Sequence, residues 1–314
     1  MTLVGRPRVI DELRDGLRTS ELHGGTRTST PRLATDASAV AGADLVLVTV
    51  KSAATADAAR ELAPHLGPKT VVVSLQNGVR NARVLRDALP GHTVLAGMVP
   101  FNVIRREPGL YHRASAGTIM FESLDAAAPL SEACLKADLP FELRDDMPGV
   151  QWAKLVLNLN NSINALSGRP LAEELSSHDY RMCLAAAQQE AIELIRAAGE
   201  PLARITPLPT RWIPGLLRWP DSIFRLLGGR IVAIDPSARS SMWDDLERGR
   251  PTEVDHINGE IVALADRLGR DAPINRNLIG LIKEAERGGK RDFTGQELYA
   301  AITTHHDPLR PPTA

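Results

Sequence analysis

Three short apolar runs, Leu45–Val50, Val71–Leu75 and Thr93–Met98, are separated by stretches with helical spacing, and this alternation constrains the fold more than any other feature. The intervening helical segments are Ala53–Leu66 and Asn81–Leu89. Strand–helix–strand units of this length call for parallel strands, because a helical crossover returns the chain to the starting end of the sheet. A run such as Leu45-Val46-Leu47-Val48-Thr49-Val50, with no polar alternation, predicts a strand buried on both faces. The first half therefore reads as a doubly wound α/β sheet. Before it, Leu3-Val4 ends at Gly5-Arg6, a charged helical stretch runs from Val9 to Leu17, and residues 17–36 read as a small hairpin. After it, residues 109–145 read as further strands around one helix.

From Val150 onward the spacing is helical and the β-branched runs disappear, which places a boundary near residue 147, between an α/β domain over 1–147 and an all-helical domain over 148–314. Residues 201–220 carry five prolines and two tryptophans and read as a loop-rich excursion. Asp235-Pro236 followed by a mixed stretch ending at Gly249 predicts a helix with an N-cap, a first-position proline and a glycine past its end. Thr252–Gly269 predicts another, with Val254, Ile257, Ile261, Leu264, Ala265 and Leu268 on one stripe. The tail beyond His305 is proline-rich and reads as frayed.

A length of 314 residues suits about two domains. Lys+Arg 37 against Asp+Glu 38 gives a net charge of −1, so the chain has no global attraction to nucleic acid or anionic membrane. Cys134 and Cys183 are isolated, which argues against a disulfide framework and against a cysteine-based zinc site. No apolar run approaches ~18 residues and the start has no signal-peptide shape, so a soluble cytoplasmic protein is expected. His305-His306-Asp307 has no helical i,i+4 pairing, and no metal is expected.

Three groups of residues carry candidate chemistry. The helix predicted over Val150–Leu166 is apolar almost all round, which is the pattern of a buried helix. At ~100° per residue, Lys154, Asn158 and Asn161 fall within about 60° of one another. An ammonium and two amides on such a face are costly to desolvate without a partner, so the face either meets solvent or presents an acid and two hydrogen-bonding groups to a polar ligand. Secondly, the charged stretch Asp244, Asp245, Glu247 and Arg248 reads as a solvated helix face, and Glu253 falls in a first helical turn, where the dipole favours a carboxylate anyway. The third group lies at strand ends. Lys51 follows Leu45–Val50 and Gln76-Asn77-Gly78 follows Val71–Leu75, where an open α/β sheet binds its ligand. Arg6, after the first apolar run, stands where a nucleotide fold reads the adenosine ribose, and an arginine there favours a 2′-phosphate, hence NADP over NAD.

In order and spacing, Leu47-Val48-Thr49-Val50-Lys51, Gln76-Asn77-Gly78, Lys154-Leu155-Val156-Leu157-Asn158, Ser240-Ser241-Met242 and Pro251-Thr252-Glu253-Val254-Asp255-His256-Ile257-Asn258-Gly259 resemble the ketopantoate reductase family. The twelve-residue step from Ser241 to Glu253 is part of the likeness. The resemblance implies a Rossmann-like N-terminal domain, an all-α C-terminal domain, and NADPH-dependent reduction of 2-dehydropantoate in pantothenate biosynthesis. It implies Lys154 as the general acid and Glu253 as a catalytic carboxylate that contacts cofactor and substrate and helps set the lysine environment. Asn158 and Ser241 would hold the substrate, with a second helix residue chosen among Asn161, Ser162 and Asn164. Asn77 would bridge cofactor and substrate, while Lys51, Arg6 and the Val103 backbone would contact the cofactor. The partner is a small 2-keto acid, and the resemblance admits a homodimer.

The family opens with a strand, a G-x-G-x-x-G turn and a helix, together about 25 residues, whose backbone N–H groups hold the pyrophosphate. This chain begins at what resembles the second strand, and G-x-G-x-x-G occurs nowhere in it. The expectation is a sequence one βα unit short of about 340 residues, with its first strand and helix missing, neighbouring apolar strands unpaired, weak NADPH affinity and poor solubility. Two other readings stand beside the reductase. One is a non-catalytic descendant that binds a ligand but no dinucleotide; the other is a reductase of a larger 2-keto acid lined by Trp212, Trp219 and Phe224.

Overall fold

A computed structural model of the protein describes residues 1–21, 24–228 and 238–304, without the side chains of 225–228. It divides into two compact units, Met1–Gln151 and the chain from Trp152 onward.

The first unit begins with β1 (Thr2–Val4), α1 (Pro7–Glu12), β2 (Leu17–Ser20), β3 (Thr26–Ser29) and β4 (Arg32–Ala34). Then follow β5 (Leu45–Val48), α2 (Thr55–Leu62), β6 (Val71–Ser74), α3 (Asn81–Ala88), β7 (Thr93–Met98), β8 (Val103–Glu107), β9 (Leu110–Arg113), β10 (Ile119–Glu122), α4 (Ala128–Lys136) and β11 (Phe141–Arg144). Strands β5, β6 and β7 are parallel neighbours in a five-stranded sheet of order β11-β10-β7-β6-β5. All four residues of β6 are buried, because it has a strand on each side and a core on each face. Val72 joins Val46, Val48, Ala59 and Leu85 in a core that includes α2 and α3, whereas Val71 and Val73 join Leu95, Ile119, Phe121 and Leu130 in one that includes α4. The strand period of two thus feeds two cores, as double winding requires.

The hairpin of residues 17–36 is present as β2 and β3, within a second sheet of order β3-β2-β9-β8. β1 and β4 form a separate parallel pair. One expectation is corrected here: β5 is an edge strand among the described residues, so Leu47 is 47% exposed rather than buried. Val4 on β1 and Val50 just beyond β5 are exposed as well, and among the described residues β1 and β5 each have a strand on one side only.

The second unit is helical: α5 (Met147–Asn158, which begins in the first unit), α6 (Asn160–Ser167), α7 (Leu171–Ser176), α8 (His178–Ala197), α9 (Ile213–Leu217), α10 (Asp221–Gly228), α11 (Ser241–Glu247), α12 (Val254–Arg267), α13 (Pro273–Glu286) and α14 (Gly295–Thr303). Two sequence readings change. The helix expected over Val150–Leu166 is interrupted at Leu159. The helix expected from Asp235 starts only at Ser241, because Ser240 accepts the Trp243 N–H and caps it; residues 235–237 lie outside the described residues, as does the tail from His305. Among the described residues no helix is long and apolar enough to cross a membrane.

The proline-rich excursion is anchored by Arg181 of α8, which is fully buried. Its guanidinium donates to the carbonyls of Leu175, Leu217 and Trp219, pairs with Asp221, and stacks on the Phe224 ring at 4.1 Å. Phe224 is therefore committed to packing, while Trp212 and Trp219 are exposed.

Candidate active site

Each unit carries its own share of the candidate residues. In the first, Lys51 follows β5 and Asn77 follows β6, and a hydrogen-bond network joins the two loops. Ser52 Oγ donates to the Asn77 carbonyl at 3.1 Å. Asn81 Nδ2 donates to that same carbonyl at 2.6 Å and to Ser52 Oγ at 3.1 Å. Thr55 Oγ1 donates to Asn81 Oδ1, and Gln76 Nε2 donates to Thr55 Oγ1 and to the Val50 carbonyl. Gln76, Thr55 and Asn81 are buried, so the network is a fixed frame under the exposed Lys51 and the half-buried Asn77. Gly78 completes the turn at φ 98°, a conformation that favours glycine.

Ser52, Thr55 and Asn81 were not singled out from the sequence. The available signal was small polar residues at the first turns of two helices that follow buried strands. Arg6 is exposed between β1 and α1, and Val103 opens β8 in the four-stranded sheet; neither belongs to the Lys51–Asn77 network.

In the helical unit, α5 presents Lys154 and, one turn later, the nearly buried Asn158. Lys154 forms no ion pair among the described residues, and burial alone pulls its ammonium pKa from 10.5 down to about 8. At neutral pH it remains charged, and it releases its proton more readily than an ordinary lysine.

The three candidates for the second helix residue part company. Ser162 is fully buried and its hydroxyl donates to the Leu159 carbonyl within its own helix. Asn164 is fully buried too: its amide donates to the Arg169 carbonyl and to Glu174, and its Oδ1 accepts the Ser240 N–H at 2.8 Å. Asn161 is half-buried, and its backbone carbonyl accepts Ser240 Oγ at 3.2 Å. This last bond seats the start of α11 on α6 and leaves Ser241, the first residue of α11, exposed beside it.

Glu253 occupies the cap position before α12, not its first turn, and its side chain makes no capping bond. The solvated-face reading of the charged stretch also needs correction, since Asp245 is buried and burial raises the Asp244 carboxyl. Among the described residues no group of histidine, cysteine, aspartate or glutamate could hold a metal.

The polar loops at the strand ends lie where an open α/β sheet binds its ligand, and the helical unit adds a desolvated lysine. The profile of the family described as "Ketopantoate reductase PanE/ApbA" matches residues 1–126, and that of its C-terminal part matches residues 146–286. A 2-dehydropantoate 2-reductase of Halobacterium salinarum is 30% identical over 281 residues, covering 88% of this chain and 86% of the relative. The crystal structure of a PanE/ApbA family ketopantoate reductase from Ralstonia eutropha is 31% identical, with TM-score 0.77, covering 91% of this chain and 90% of that one. D-mandelate dehydrogenase with NADH and anilino(oxo)acetate shares the fold at TM-score 0.75 and 18% identity, covering 91% of each chain. The chain belongs to the ketopantoate reductase family, and is an oxidoreductase acting on a CH–OH group.

Proposed function

We propose that the protein reduces 2-dehydropantoate to pantoate with NADPH, and that Lys154 supplies the proton. The observation that carries this reading is an ammonium with no counterion among the described residues, brought by burial to a pKa of about 8, one helical turn from a buried amide. A bound reduced nicotinamide dinucleotide would supply the hydride to C2 of the keto acid. Lys154 stabilises the negative charge developing on the carbonyl oxygen and then donates its Nζ proton to it, which gives the alcohol. Asn158 and Asn161 hydrogen bond to the substrate, and Ser241 holds its carboxylate end. Glu253 touches the cofactor and substrate side and sets the lysine environment.

On the cofactor side, the framed Lys51–Asn77 loops fit the ribose and nicotinamide end, and the exposed Arg6 fits the 2′-phosphate. Val103 adds a backbone contact.

The test is NADPH oxidation by the purified chain at several NADPH concentrations, with 2-dehydropantoate and a series of bulkier 2-keto acids. Turnover with 2-dehydropantoate that falls by orders of magnitude in Lys154→Ala supports the proposal. An unchanged kcat removes Lys154 from its role, and a preference for a bulkier acid replaces the substrate.

A further inference from the structure

Glu174, on α7, is a carboxyl taken wholly out of water. No cation pairs with it among the described residues: Arg169 pairs with Glu173, and Arg181 is committed to Asp221 and three carbonyls. Oε2 accepts Asn164 Nδ2 at 2.5 Å, whereas Oε1 is buried with no partner. The Asn160 Oδ1 is also buried with no partner, and Asn160 is the other side chain that hydrogen bonding couples to this carboxyl. An ionised carboxylate would add an unpaired buried charge to two unsatisfied acceptors. A carboxylic acid brings the O–H that such acceptors lack. Burial pushes this carboxyl up to about 8, against the smaller pull of Asn164 and Asn160.

What the acid group holds is the orientation of one amide. Asn164 satisfies the Ser240 N–H only with its oxygen toward α11, and that places its Nδ2 on Glu174 and the Arg169 carbonyl. The same corner is closed by the Leu171 N–H on the Ala238 carbonyl, Arg239 on the Gly168 carbonyl, and Ser240 Oγ on the Asn161 carbonyl. Four bonds from α6, α7 and the turn between them thus hold residues 238–240, and with them the first residue of α11.

We propose that Glu174 is a positioning residue: its carboxyl locks the Asn164 amide, which fixes Ser240 and so aims Ser241 at the keto-acid carboxylate. This rests on the reading of Ser241 as a substrate-holding residue. Glutamine keeps an amide oxygen that can accept from Asn164 Nδ2, whereas leucine offers no acceptor.

The experiment compares wild type, Glu174→Gln and Glu174→Leu by amide hydrogen exchange and by keto-acid kinetics. In Glu174→Leu, exchange at the Ser240 and Trp243 amides speeds up about tenfold and KM for 2-dehydropantoate rises about tenfold, while kcat and α12 exchange stay within about threefold. Glu174→Gln stays within about threefold of wild type throughout. Wild-type exchange at Ser240 and wild-type KM in a folded Glu174→Leu overturn the proposal. So does loosened Ser240 in a folded Glu174→Gln, which settles the matter if the leucine variant does not fold. If wild type reduces no 2-keto acid, the functional reading fails, and exchange at Ser240 still decides whether Glu174 positions α11.

Discussion

Replacing Lys154 by methionine separates what the residue does for chemistry from what it costs the fold. Burial lowers the ammonium pKa from 10.5 to about 8, and that difference corresponds to about 3 kcal/mol against the charged form. The side chain keeps partial contact with solvent, so roughly 1–2 kcal/mol is the gain expected on removing the charge at neutral pH. The sign follows from proton counting. Between pH 8 and 10.5 the unfolded lysine binds more protons than the folded one, so wild-type stability rises with pH across that window. Methionine lacks this slope. Lys154→Met is therefore more stable than wild type below about pH 8, by roughly 2–8 °C in Tm, and the advantage disappears above about pH 10.5. Its kcat falls by about 10²–10⁴. Denaturant melts at neutral and strongly alkaline pH, paired with NADPH-oxidation rates, read both effects. Equal midpoints at neutral pH would refute the desolvation argument, and a retained kcat would refute the proton-donor role.

Three further outcomes follow from individual contacts. Arg6→Ala should cut the preference for NADPH over NADH about tenfold in kcat/KM, because a phosphate contact of the charge-assisted kind is removed; an unchanged ratio places the 2′-phosphate elsewhere. Asn81→Ala takes away two donors and one acceptor from the frame beneath Asn77, so the KM for NADPH should rise about tenfold and Tm should fall by several degrees. A lowered Tm with unchanged KM would make Asn81 purely structural. Arg181→Leu strands three carbonyls that now receive a buried guanidinium, at a cost of about 3–5 kcal/mol; calorimetry showing a loss below about 1 kcal/mol would mean that the 201–228 excursion is held by other contacts.

The alternation of the first half was legible because each strand carries its own burial pattern and each crossover its own length. Val71–Ser74 has apolar residues for both cores, and nothing beyond those residues is needed to read it as a central strand. Leu45–Val48 is at least as apolar and lies at an edge among the described residues, since neighbour count is a property of the sheet and not of the run. On the chemical side, Lys154 stood out because a lone cation in an apolar helix is conspicuous at any register. The network of Ser52, Thr55 and Asn81 was invisible for the opposite reason: small polar residues at helix starts are common, and only the approach of two loops gives these a shared task.

The start of α11 shows where local signals fail for a physical reason. Asp235-Pro236 and Gly249 satisfy every local rule for a helix, yet 238–240 are extended or irregular and the cap is Ser240. The side-chain cap is local, but the segment that delivers it is held from about seventy residues away, by Asn161, Asn164, Gly168 and Leu171. One of those residues, Asn164, also donates to the buried Glu174 carboxyl, which burial pushes up to about 8. The same packing decides among Asn161, Ser162 and Asn164: the latter two spend their polar atoms inside the helical unit, which leaves Asn161 as the proposed ligand of the substrate. Helical facing grouped Asn161 with Lys154 and Asn158 while the family's spacing pointed to Ser162, because spacing counts turns along one helix and takes no account of what packs behind it.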